Sequence, residues 1–196
     1  MGARSGGSET GLERDTNYKG KIENVESLKN IKDPKLYNEM KSAISRFYKE
    51  LGLKEKNIKL ADLSGNVYGI GGEGGVFLNK KYFKNKTKQQ VADAMKQDYA
   101  NGWQTKTNKP VAHVLTHELA HTVWMKGKAG AKYQAAGKEI QKVYNAWKKD
   151  GRKSGYGKYA GSNVSEFFAE TITKAIHGKA DKYTKALKKI VKDYKL

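Results

Sequence analysis

Cysteine is absent from all 196 residues, which excludes a disulfide framework and any thiolate-ligated metal centre. That absence assigns no compartment: the cytoplasm, a virion and export by a dedicated route all stay open. No run of 18 apolar residues occurs, and the chain has no apolar stretch of signal-peptide type. It therefore reads as soluble, with no membrane span and no general secretory signal peptide. Proline occurs only twice, and Pro34 and Pro110 each open a helix pattern. Arginine is nearly as scarce, since only Arg4, Arg14, Arg46 and Arg152 among 39 basic residues carry a guanidinium. Specific reading of nucleic-acid bases relies on such bidentate forks, so their scarcity argues against it.

Acidic residues are outnumbered 20 to 39, leaving a net charge of +19. A lysine-rich surface attracts nucleic acid, anionic lipid and acidic protein through a salt-sensitive, largely unspecific field. Lysines are densest from Lys179 to Lys195. There Tyr183, Leu187, Ile190, Val191 and Tyr194 recur at helical spacing, which reads first as an amphipathic helix with a solvated basic face.

Residues 1–16 are rich in Gly, Ser and charge and are expected to form a flexible N-terminal tail, with residues 17–196 as one domain. Met1-Gly2 invites a lipidation reading, but Gly6 stands where Ser or Thr is wanted. Asp33 and Pro34 supply an N-cap and first helical residue, Leu36, Met40, Ile44, Phe47 and Leu51 follow with helical period, and Gly52 closes the helix. Between Asn57 and Asn79, short strands are expected around Ile58 and Leu60, Val67 and Tyr68, and Val76 to Leu78. The glycines from Gly69 to Gly75 fit a hairpin turn. They are no phosphate loop, because neither a Gly-Lys-Ser/Thr signature nor a helix follows. Further helices are expected over Thr87–Tyr99, from Pro110, over Ala131–Lys149 and over Ser162–Ile176. The fold class is α+β, helix-rich with a small mixed sheet.

The chemistry concentrates in His117-Glu118-Leu119-Ala120-His121. On a helix, positions i and i+4 share a face, so both imidazoles reach one metal ion while Glu118 projects beside them. A shuffled chain of this composition would contain HExxH in roughly 0.5% of cases, so chance is a poor account of the run. The bland alternative is a core helix with two hydrogen-bonded histidines. Val111, Ala112, Val114, Leu115, Val123 and Trp124 do make the helix apolar nearly all round, where His and Glu are costly without a purpose. His113 extends the row, but three turns span about 12 Å, too far for one ion with ligand bonds near 2 Å. It reads as a supporting or core residue.

A catalytic zinc needs a third protein ligand. The metzincin continuation fails, because Trp124 stands at the turn glycine and Gly127 at the third histidine. With no cysteine, a carboxylate is left, and Glu166 and Glu170 share a face of the Ser162–Ile176 helix. Glu166 is the first choice and Glu170 its competitor. Glu166 also has a bland reading as a capping-box residue three positions after Asn163.

These residues resemble the gluzincin metallopeptidases, and within them the catalytic domain of anthrax lethal factor and its relatives. The resemblance rests on the HExxH helix and on Tyr159-x6-Glu166-Phe167-Phe168-Ala169-Glu170, and it extends to nothing before about residue 65. It implies a zincin-like fold, Zn2+ held by His117, His121 and Glu166, Glu170 holding a ligand histidine, and Tyr159 contributing a hydroxyl to the active site. Related domains occur in phage structural proteins and prophage products, which suggests a setting but no target. The implied reaction is peptide hydrolysis. Glu118 takes a proton from the attacking water and passes it to the leaving amine, and Tyr159, or Tyr156 as alternative, donates to the oxyanion. Val76 to Asn79 is the candidate edge strand for pairing with an extended and, given the charge, acidic peptide. A zinc amidase would share every one of these residues. The rival class is a lysine-rich polyanion- or nucleic-acid-binding module whose metal site is structural or inactive.

Overall fold

A computed structural model of the chain describes residues 20–72, 75–126, 130–152 and 155–196. The expected tail, 1–16, lies outside the described residues. Among the described residues the protein is α+β, with seven α-helices and a mixed four-stranded sheet. The strands are β1 (Ile22–Ser27), β2 (Ile58–Leu63), β3 (Gly69–Gly72) and β4 (Gly75–Asn79). The helices are α1 (Pro34–Leu51), a single turn α2 (Lys80–Phe83), α3 (Lys88–Ala100), α4 (Pro110–Lys126), α5 (Gly130–Lys149), α6 (Val164–His177) and α7 (Lys182–Tyr194). No helix among the described residues is long and apolar enough to cross a membrane.

Local chemistry accounts for most helix boundaries. The Asp33 carboxylate accepts from Lys35 N at 2.7 Å and Leu36 N at 3.1 Å, satisfying two of the four amides that an α-helix leaves unpaired at its start. Gly52 ends α1 at φ +66°, a conformation costly for any residue with a Cβ. Between these caps the buried stripe Leu36, Met40, Ile44, Phe47 and Leu51 faces the core. Thr87 and Gln90 form a reciprocal capping box on α3, and Asp181 and Thr184 do the same on α7. The α7 stripe of Tyr183, Leu187 and Val191 is buried, as its spacing suggested.

The sheet corrects two expectations. Its order is β1-β2-β4-β3, with β2 and β4 parallel and both outer pairs antiparallel. Val76 to Asn79 therefore lies inside the sheet, hydrogen-bonded on both sides, and the edges are β1 and Gly69–Gly72. The glycine run is likewise not simply a turn: four of its residues are strand β3, and Gly75 begins β4. The reason is steric. A Cβ on Gly71 would stand 2.0 Å from the Glu118 carbonyl oxygen, and one on Gly69 would stand 3.1 Å from Glu118 Cγ. Only glycine lets this strand lie directly against α4.

Strand β1 was not anticipated. Ile22 and Val25 are 40% and 47% exposed, and a register irregularity falls between Glu23 and Glu26, so no period-two burial pattern marks the segment. Pairing with β2 and polar ties such as Asn24 to Asp62 hold it instead.

Helix α4 runs through the centre, packed by α1, α3, α6, β3 and β4. Every residue from Val111 to Trp124 is buried. A final contact matters for the site: the chain before α6 docks on the loop before α4. Lys158 N donates to Gly102 O at 2.9 Å, Tyr159 N to Trp103 O at 3.0 Å, and Gly157 N to Thr105 Oγ1 at 3.1 Å. A Cβ on Gly157 would fall 2.3 Å from backbone atoms of that loop.

Candidate metal centre

Helices α4 and α6 pack side by side and supply every charged group of the centre. The i, i+4 spacing on α4 brings His117 and His121 together edge to face, with their Nε2 atoms 3.1 Å apart. From α6, Glu166 Oε2 lies 3.0 Å from His117 Nε2 and 3.7 Å from His121 Nε2. All three residues are fully buried. Asn163 Oδ1 caps α6 by accepting from Glu166 N at 2.8 Å. The capping role thus falls to the backbone of Glu166 and leaves its carboxylate for the centre.

Proton bookkeeping decides what the cluster requires. Glu170 Oε1 lies 2.9 Å from His117 Nδ1 and 3.2 Å from His113 Nε2, and Oε2 accepts from Thr105 N at 2.7 Å. An ionised carboxylate only accepts, so the 2.9 Å approach of Glu170 favours the tautomer with the proton on His117 Nδ1, although the geometry there is not that of a linear hydrogen bond. In the neutral imidazole, His117 Nε2 then holds a lone pair that faces a carboxylate oxygen and a second imidazole nitrogen. Such an arrangement is repulsive unless a cation or an added proton sits between the groups. Burial disfavours charge on His117, yet its hydrogen bonds to Glu166 and Glu170 outweigh that and hold its pKa well above the usual histidine value. Burial likewise opposes charge on both glutamates. The charges and hydrogen bonds of His121 and His117 nevertheless lower the pKa of Glu166, and those of His113 and His117 hold Glu170 well below the carboxylate range.

The spacing suits a metal ion. Three ligands at about 2.05 Å in tetrahedral array stand roughly 3.3 Å from one another, and the separations here are 3.1, 3.0 and 3.7 Å. Among the described residues one other group has metal-like spacing, His113, His117 and Glu170. Its Glu170 oxygens already bond His113 Nε2 and the Thr105 amide and lie 2.9 Å from His117 Nδ1, so this carboxylate is engaged in holding the imidazoles in place. Ser165 Oγ does the same for His121, 3.0 Å from Nδ1.

The remaining anticipated residues divide. Glu118 is fully buried, with its backbone and Cγ against β3. Tyr159 lies on the 3-10 turn Lys158–Gly161, edge-on to His117 with ring centroids 6.3 Å apart. Trp103, 38% exposed, packs edge-on to Tyr159 at 5.9 Å. Tyr156 goes elsewhere. Its ring packs with Trp147 and Phe167 and its hydroxyl reaches Asp181 Oδ1 at 3.4 Å, so it is not the alternative donor.

Searches against family models, curated proteins and solved structures find no match to this chain. Sequence reading missed Ser165, although it directly precedes Glu166, and Thr105, a loop residue with no motif around it.

Proposed function

We propose that the chain is a zinc-dependent endopeptidase with a zincin-like fold, related to the gluzincins of the lethal factor type. One observation carries this reading: two imidazole Nε2 atoms and one carboxylate oxygen converge, fully buried, at separations of 3.0–3.7 Å. Their outer atoms are already held by Glu170 and Ser165. A zinc ion there would lower the pKa of an adjacent water toward 7 and polarise a substrate carbonyl. Glu118, flanked by the two histidines on α4, takes the water's proton and returns it to the leaving amine. Tyr159 donates its hydroxyl to the oxyanion. Among the described residues strand β3 has a neighbouring strand on one side only, so an extended peptide adds along its outer edge, and the charge of +19 favours an acidic one.

Metal analysis of purified protein tests the centre. About one zinc per chain is expected, sharply reduced in Glu166→Ala. A peptide library then tests the reaction: Glu118→Gln should retain zinc and lose hydrolysis, whereas preserved cleavage would refute Glu118 as the base. Absence of zinc after reconstitution would overturn the proposal and leave the polyanion-binding reading in its place.

A further inference from the structure

The first turn of α4, roughly 10 Å along the axis from His117, opens into a cleft of about 660 Å³ that the proposed hydrolysis does not use. Lys35, Glu39 and Arg46 of α1, Lys88 of α3, Lys109 and the buried His177 line it. Four cations thus face a single carboxylate. Glu39 pairs with Lys88 at 2.6 Å and Arg46 with Glu50 at 3.3 Å. Lys35 and Lys109 have no ion-pair partner among the described residues.

Two independent features suit this cleft to an anion. The first is the helix end. His113 N donates to Lys109 O at 3.0 Å, so Lys109 holds the N-cap position. A lysine side chain offers no acceptor, and the first turn holds no acidic residue. The amides of Val111 and Ala112, both lining the cleft, are left without an intrahelical acceptor. The second is His177, only 8% exposed. Its Nε2 engages Thr116 Oγ1 at 2.8 Å, while its buried Nδ1 has no hydrogen-bond partner among the described residues. Burial, and then the positive charge of Arg46, push its pKa down to about 4. It is therefore neutral at pH 7, and in the tautomer in which Thr116 Oγ1 donates to Nε2 the Nδ1 N–H is left to donate to an anion.

We propose that this cleft binds a phosphate dianion, free or as the terminal group of a small ester, on the first turn of α4 between Lys35 and Lys109. The volume falls in the range of small-molecule sites and exceeds what one inorganic ion fills. Helix N-termini bind phosphate through the same uncapped amides and dipole. The site is independent of any metal at His117.

The test is an amide-resolved NMR titration of the full chain at constant ionic strength, with inorganic phosphate in one arm and adenosine 5′-monophosphate in the other. Saturable one-to-one shifts at Val111, Ala112 and His177 are expected. Binding should weaken at least tenfold in the doubly substituted Lys35→Gln, Lys109→Gln protein, whose altered side chains are solvent-exposed. A Lys192→Gln, Lys195→Gln control should bind as the parent does. Tighter binding of the monophosphate assigns an ester ligand, and equal binding assigns free phosphate. Shifts spread unsaturably over the lysine surface, or equal losses in both double variants, would overturn the proposal.

Discussion

Substituting Gly71 by alanine tests the placement of the sheet against the helix that carries the candidate centre. The new Cβ would stand 2.0 Å from the Glu118 carbonyl oxygen and 2.8 Å from its carbonyl carbon. Ordinary carbon–oxygen contact is about 3.3 Å, so β3 and α4 must separate by more than 1 Å locally. Neither has a side chain to rotate away: the obstructing atoms are backbone, α4 is buried on all sides, and β3 is hydrogen-bonded to β4. Overpacking of this kind costs about 1–3 kcal/mol, and two rigid backbones place it at the upper end. Gly52→Ala is the control. It meets the positive-φ penalty at +66° with nothing within 4 Å of the new Cβ, for about 1 kcal/mol. Urea denaturation should rank Gly71→Ala as clearly the more damaging. If it proves no worse than Gly52→Ala, β3 does not lie on Glu118. Under the peptidase proposal a further loss follows, since a shift of about 1 Å at a catalytic group can cost on the order of 100-fold in rate.

Three other substitutions probe the centre and its surroundings, the first two under the peptidase proposal. Glu170→Gln leaves His113, His117 and Thr105 N facing a neutral amide, and chelator competition should find zinc affinity about 10–100-fold weaker. Unchanged affinity would sever Glu170 from the site. Tyr159→Phe should lower kcat by about 10²–10³ while zinc content stays at the parent level; an unchanged kcat would remove the tyrosine from the reaction. His177, with its pKa lowered from 6.5 to about 4, makes stability depend on acid. Between those values the unfolded chain binds the extra proton and the folded protein does not, so stability falls as pH drops from about 6.5 to 4, by up to about 3 kcal/mol. Denaturation across that range should give a flatter profile for His177→Gln, and parallel profiles would refute the assignment.

The helices were legible because their signals are local. Asp33 with Pro34, Thr87 with Gln90, Asn163 and Gly52 set ends that depend only on neighbouring backbone, and the spacing of Leu36, Met40 and Ile44 marks a buried stripe without reference to any partner. The strands were half legible. Ile58 to Leu63 shows itself through β-branched and apolar residues, whereas Ile22 to Ser27 does not, because an exposed edge strand carries little burial pattern.

The sequence alone determined which residue types meet at the candidate centre. His117 and His121 share a face whatever surrounds them, because helix geometry is local, and the lack of cysteine left only a carboxylate to join them. Tertiary structure decided the rest. Glu166 and Glu170 have the same helical phase to within one turn, and only the packing of α6 on α4 turns one toward the paired Nε2 atoms and the other toward Nδ1. The same holds for Tyr159 and Tyr156, three residues apart, of which docking on the Trp103 loop brings the first alone to His117. The glycine run reads as a turn in one dimension and is a strand in three, because the space a Cβ would need is occupied by a helix 47 residues further along the chain.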